Sequence, residues 1–178
     1  MSNYRLEKGV VHVYTGNGKG KTTAALGLGL RAIGHGLKVY MIQFMKGGFN
    51  YGEYRSVKLL PNFKIVQFGG PEFVNPSNPT EEDVKAAREA LNHAREIIMS
   101  GEYDVVILDE INVAIDFKLI DVQDVLELIK NKPKHVELIL TGRYAPSEII
   151  KAADLVTFMR EIKHPYRQGL SARKGIDY

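Results

Sequence analysis

The chain has 178 residues, of which 44% are hydrophobic and 25% charged, the balance of one soluble domain with its own core, not of a disordered chain. Lys and Arg number 24 against 21 Asp and Glu, a net charge of +3; that mild excess suits an anionic ligand, and no block of like charges marks a nucleic-acid-binding tail. With no cysteine, a disulfide framework and a thiolate metal site are both excluded.

The opening stretch, Met1 to Val10, is polar and lacks the apolar segment of a secretory signal. The apolar window from Ala24 to Leu30 is interrupted by Arg31 and is too short to span a bilayer. The expectation is a soluble cytoplasmic protein that partners neither membrane nor nucleic acid.

Short β-rich runs alternate with longer helical patterns, which predicts a single α/β domain over residues 1–178 with a mainly parallel sheet. The expected strands are Val10–Thr15, Lys38–Phe44, Lys64–Phe68, Val105–Leu108, Val136–Thr141 and Leu155–Arg160. Val105-Val106-Ile107-Leu108 is apolar throughout, as expected of a strand covered on both faces. A helix is expected from Thr23 to about Ile33. Gly69 to Pro79 holds three prolines and two glycines and reads as a loop, long enough to be functional. Thr80 with Asp83 forms a capping-box pattern, and Val84, Ala87, Leu91, Ala94 and Ile98 then make one apolar stripe. Asp121 caps a further helix with Val122, Val125, Leu126 and Ile129 inward, ended by Asn131 and Pro133. Pro146 and Ser147 open a last short helix.

The most informative stretch is Tyr14-Thr15-Gly16-Asn17-Gly18-Lys19-Gly20-Lys21-Thr22-Thr23. A β-run enters a Gly/Lys loop that opens directly onto a helix, the context a P-loop requires. Glycines let backbone N–H groups converge on phosphate oxygens, and the helix start adds its positive end. Lys21 neutralises phosphate charge there, and the Thr22 hydroxyl joins a Mg²⁺ shell. The spacing departs from G-x-x-x-x-G-K-[ST], because Thr15 stands where the first glycine belongs. Phosphate binding is expected, with a geometry unlike that of kinases.

A P-loop is paired with a carboxylate at the end of an apolar strand. Asp109 and Glu110 follow Val105–Leu108 at the edge where open α/β sheets bind ligands. Spacing leaves open which of the two reaches the metal directly. Arg143, after Leu138-Ile139-Leu140-Thr141-Gly142, arrives at the same edge, either as a phosphate clamp or as a surface ion pair. Arg31 reads locally as a solvated helix face, and His12 and His35 as core or turn histidines.

Together these stretches resemble the P-loop type of ATP:corrinoid adenosyltransferases, also called cob(I)alamin adenosyltransferases. The resemblance is carried by Thr15–Ala24, Arg31–Gly36, Gln43-Phe44-Met45-Lys46-Gly47, Val106–Ile111, Leu140–Arg143, Lys163-His164-Pro165 and Gly175–Tyr178. The one-residue-short loop is itself a feature of that family. The resemblance implies a RecA-like P-loop fold with six mostly parallel strands and helices on both faces, a homodimer, and a reductase, such as a flavoprotein, that supplies electrons. It further implies Mg²⁺ as cofactor, with ATP and a reduced corrinoid as substrates. The implied reaction is attack of Co(I) on C5′ of ATP, with triphosphate as the leaving group.

By the same resemblance Gly16, Asn17, Gly18, Lys19, Gly20, Lys21, Thr22, Thr23 and, more remotely, Arg31 bind the nucleotide. Lys21, Glu110 and Arg143 are the catalytic candidates, and Thr22, Asp109 and Glu110 the metal candidates. Phe73, the aromatic residue in Gly70-Pro71-Glu72-Phe73-Val74, is assigned to the lower face of the corrin. Members of the family often carry a segment before the first strand that helps cover the corrinoid; here about nine residues precede Val10. Two other readings remain open on the residues alone: a P-loop ATPase or small-molecule kinase, and a nucleotide-dependent corrinoid carrier without turnover.

Overall fold

The computed structural model describes residues 5–48 and 51–178; residues 1–4 of the polar opening stretch lie outside it. Among the described residues six strands, β1 (Val11–Thr15), β2 (Val39–Gln43), β3 (Phe63–Gln67), β4 (Val105–Asp109), β5 (Glu137–Thr141) and β6 (Leu155–Phe158), form one sheet in the order β3-β2-β4-β5-β1-β6. Every pairing is parallel, so all six strands deliver their carboxyl ends to one edge. The "mostly parallel" expectation is met in full, and each expected strand is found within about two residues of its expected ends.

Apolar positions alternate in facing, as a two-sided buried sheet requires. Val11, Val13, Ile42, Val106, Leu108, Leu138 and Leu140 pack into one core, while Val39, Met41, Ile65, Val105, Ile107 and Ile139 pack into a second on the opposite face. The second core is closed by α1 (Lys21–Gly34) with Tyr54 and Val57, from α2 (Gly52–Ser56) and the 3-10 turn that follows it. The first is closed by α3 (Glu81–Ser100), α4 (Ile111–Asp116), α5 (Val122–Asn131) and α6 (Ser147–Ala152).

The helix signals act as read. Thr80 Oγ1 accepts from the Asp83 amide at 3.1 Å while Asp83 Oδ2 accepts from the Thr80 amide at 2.9 Å, a complete capping box on α3. Asp121 accepts from the Gln123 amide at 2.8 Å at the head of α5. Two helices went unread. α2 is a short, mostly polar turn, and α4 is a six-residue helix buried from Ile111 to Ile115, with only Asp116 exposed.

β5 lies between β1 and β4. Strands are about 4.8 Å apart, so the ends of β1 and β4 are roughly 10 Å apart, a gap the first turn of α1 spans. That spacing positions the site.

Candidate nucleotide site

The loop between β1 and α1 is held from outside. Gly18 N–H donates to Met159 O at 2.7 Å, and Asn17 Oδ1 accepts from the Glu161 amide at 3.1 Å. A Cβ at Gly16 or Gly18 would run into the Met159 backbone, so the glycines serve close approach by the segment after β6 as well as any ligand. The Gly18 amide and the Asn17 side chain, both expected to bind the nucleotide, are instead committed to bracing. Gly20 takes the N-cap position of α1 at φ 117°. Thr15, in place of the expected first glycine, is the last residue of β1; its Oγ1 accepts from the Ala145 amide at 3.3 Å.

Lys21 is buried and its Nζ donates to Gly18 O at 2.7 Å, which sets the ammonium within the curve of the loop. Burial holds its pKa below the ordinary lysine value, offset in part by the Glu110 and Asp109 carboxylates. Thr22 Oγ1 donates to Asp109 Oδ1 at 2.8 Å, the contact that closes the gap from β1 to β4. Thr23 is exposed on the same turn. Lys19 is engaged elsewhere: its Nζ pairs with Asp177 and donates to Ile176 O at 3.1 Å.

Asp109 is wholly buried. Its Oδ1 also accepts from Thr141 Oγ1 at 2.7 Å, and its Oδ2 accepts from Lys46 Nζ at 2.7 Å and Gln43 Nε2 at 3.2 Å. Burial pushes this carboxyl up, but the charge and hydrogen bond of Lys46, with the Thr141 and Thr22 hydroxyls, outweigh it and hold the pKa below the usual range. Lys46 is the mirror case: burial pulls it down, Asp109 more than compensates, and its pKa stays above the ordinary value.

Glu110 follows at φ 64°, a left-handed conformation that costs a non-glycine residue of order 1–3 kcal/mol. Its amide donates to Thr141 Oγ1 at 3.0 Å, so one hydroxyl ties the ends of β4 and β5 together. Burial, and then the charge of Asp109, raise the Glu110 carboxyl above its ordinary value, with Lys46, Lys21 and Arg143 opposing. Arg143 is exposed, with its guanidinium 5.9 Å from the centre of the Tyr144 ring. Its charge acts on both Lys21 and Glu110. Lys21, Thr22, Asp109, Glu110 and Arg143 therefore meet at one sheet edge, from three strands. Beside them opens a cleft of about 640 Å³ walled by Thr22, Thr23, Lys46, Tyr51, Glu53 and residues 175–178.

Phe73 lies in the loop after β3, leaving the same edge, and is 84% exposed; the neighbouring Val74 packs against the core and anchors that loop. Arg31 is not brought to the loop. It sits about 15 Å along α1, exposed beside Leu28, His35 and Glu137, at the edge where β4 and β5 begin. His12 is a core histidine bonded to Glu137 at 2.6 Å and to Tyr14 at 3.2 Å, and His35 is the C-cap of α1. Gln43, Lys46 and Thr141 are the site residues that residue-by-residue reading missed. Each is a polar side chain at or just past the carboxyl end of an apolar strand, and that was the available signal.

A divalent cation is the group this site would have to accommodate. The donor set fits one: the Thr22 hydroxyl spends its proton on Asp109 and keeps its lone pairs, and no protein donor bonds the Glu110 carboxylate among the described residues. These are hard oxygen ligands of the kind Mg²⁺ takes. No cluster of three or more His, Cys, Asp or Glu side chains that could hold a metal ion exists among the described residues.

A glycine loop between a parallel strand and a helix, with a carboxylate strand one position beyond the neighbouring strand, defines a P-loop α/β protein. Residues 7–178 match the family described as ATP:corrinoid adenosyltransferase BtuR/CobO/CobP, and the chain belongs to that family. Among curated relatives, the corrinoid adenosyltransferase of Escherichia coli strain K12 is 36% identical over 172 residues, covering 97% of this chain and 87% of its own length. That of Sinorhizobium sp is 39% identical over 176 residues, 97% of this chain and 81% of its own. That of Pseudomonas aeruginosa is 34% identical over 178 residues, 100% of this chain and 88% of its own.

Proposed function

We propose that this chain transfers the 5′-deoxyadenosyl group of ATP to Co(I) of a reduced corrinoid and releases triphosphate. The observation that carries the reading is the meeting of Lys21, Thr22, Glu110 and Arg143 at one sheet edge in a chain that matches the adenosyltransferase family over nearly all its length. The cobalt lone pair forms a Co–C bond at C5′ as the C5′–O bond breaks, and the oxygen leaves with its electron pair on triphosphate. Co(I) is already a strong nucleophile, so the protein supplies no base.

Its own task is electrostatic. Lys21 and the loop amides left free by the bracing contacts receive the phosphates, and Arg143 adds its charge to theirs, the preorganised kind of stabilisation that dominates such sites. Thr22 and Glu110 would hold Mg²⁺, which when bound neutralises triphosphate oxygens. The exposed Phe73 loop is the surface offered to the corrin.

Two further features belong to this reading. The chain works as a homodimer: edge strand β6 leaves Leu155, Val156 and Phe158 at 40%, 41% and 67% exposure, an apolar edge that a second copy would cover. A separate reductase, such as a flavoprotein, supplies the electrons for Co(I), in the cytoplasm where ATP is made. Among the described residues no helix is long and apolar enough to cross a membrane.

The direct test is Lys21→Ala. It should lower adenosyl transfer by at least about 10²-fold, the scale of losing one preorganised charge partner, with an unchanged circular dichroism spectrum. Near-normal transfer would remove the P-loop from the mechanism. Sedimentation velocity over a range of concentrations tests the dimer; a monomer at every concentration would exclude it.

A further inference from the structure

The buried carboxylate Asp109 has no room for a metal. A carboxylate offers about four acceptor positions, and here Thr22, Thr141, Gln43 and Lys46 fill them at 2.8, 2.7, 3.2 and 2.7 Å. The Lys46 ammonium, 12% exposed, supplies the positive charge that a bare ion would otherwise have to bring. Gln43 is itself fixed, donating to Glu53 at 3.1 Å and accepting from Gln67 Nε2 at 2.9 Å. The result is a rigid acceptor whose free edge is used up before any ligand arrives.

The consequence falls on Thr22. Because its hydroxyl proton is directed into Asp109, its two lone pairs face away from β4. We infer that Lys46 is a positioning residue for the cation of a bound nucleotide: as the internal counter-ion of Asp109 it fixes that carboxylate, which in turn aims the Thr22 oxygen at the metal. The metal's protein ligands are then Thr22 and Glu110, and Asp109 stands behind them. The choice between Asp109 and Glu110, left open by spacing, falls to Glu110. This inference rests on the nucleotide-binding part of the proposed function and is independent of the corrinoid step.

The alternative role for Lys46, since it also lines the cleft, is direct contact with a phosphate. Calorimetric ATP binding to the full chain, with Mg²⁺ and with excess EDTA, separates the two. Lys46→Met should weaken binding in Mg²⁺ by about 10- to 100-fold, the usual cost of losing an orienting partner behind a metal ligand, and weaken it distinctly less in EDTA, where no cation needs positioning. Lys46→Arg should restore most of the Mg²⁺-dependent gain.

Since Lys46→Met leaves a buried carboxylate without its charge partner, a burden on folding, Lys46→Met with Asp109→Asn removes both charges and gives a second reading. Against Asp109→Asn alone, the added Lys46→Met should cost little, because two residues acting through one contact are not additive. Equal losses with and without Mg²⁺, or additive losses in the double variant, would overturn the inference. The readout is nucleotide binding alone, so a chain that failed to adenosylate corrinoids could still pass it, and the two failures stay distinct.

Discussion

At the scale of single residues the site is a set of opposed pKa shifts with identifiable causes. Asp109 and Lys46 hold each other charged, whereas Glu110, beside the same carboxylate, is pushed toward its neutral form by burial and by Asp109. A carboxyl raised in the folded chain makes its ionised form a burden on folding. That burden is present above the raised pKa and disappears below the ordinary carboxyl value. Glu110→Gln should therefore raise Tm near neutral pH, by about 2–4 °C if about 1 kcal/mol is recovered, with the gain shrinking in acid. The same variant should lose Mg²⁺-dependent nucleotide binding, a trade of function for stability. Thermal melts at two pH values check the sign; a lower Tm at neutral pH would mean that Glu110 is stabilised by its cations.

At the scale of elements, what was legible followed from locality. Strands such as Val105–Asp109 are apolar on both faces and announce themselves, and caps such as Thr80–Asp83 are written within four residues. α4 carries little signal because five of its six residues are buried and so short a helix shows no periodicity to read. The bracing of the loop by Met159 and Glu161, and of Lys19 by Asp177, joins residues more than 140 apart in the chain, which no local pattern carries. The same holds for Lys46, whose partner is fixed only once β2 lies beside β4. The loop after β3 did disclose its aromatic, and its exposure gives the assignment a test. Phe73→Ala should slow reaction from cob(II)alamin with a reductase far more than reaction from chemically prepared cob(I)alamin. Equal effects would take Phe73 out of the corrin-binding role.

At the scale of the whole molecule, the order β3-β2-β4-β5-β1-β6 converts scattered motifs into one site. Because every strand is parallel, the loops after β1, β2, β4 and β5 emerge together, and β5 sets the distance that Thr22 and Asp109 bridge. Arg31, a weaker carry-over of the resemblance, is carried about two to three turns along its helix to the opposite edge, as its distance from the loop in sequence implies. The most direct test of the central claim is an anaerobic reaction of the chain with Mg-ATP and chemically reduced cobalamin, following loss of the cob(I)alamin absorbance and identifying the phosphate product. The account predicts a cobalt–carbon product formed together with triphosphate in equal amounts. ADP or inorganic phosphate without any cobalt–carbon product would contradict it and assign the same P-loop to an ATPase or kinase.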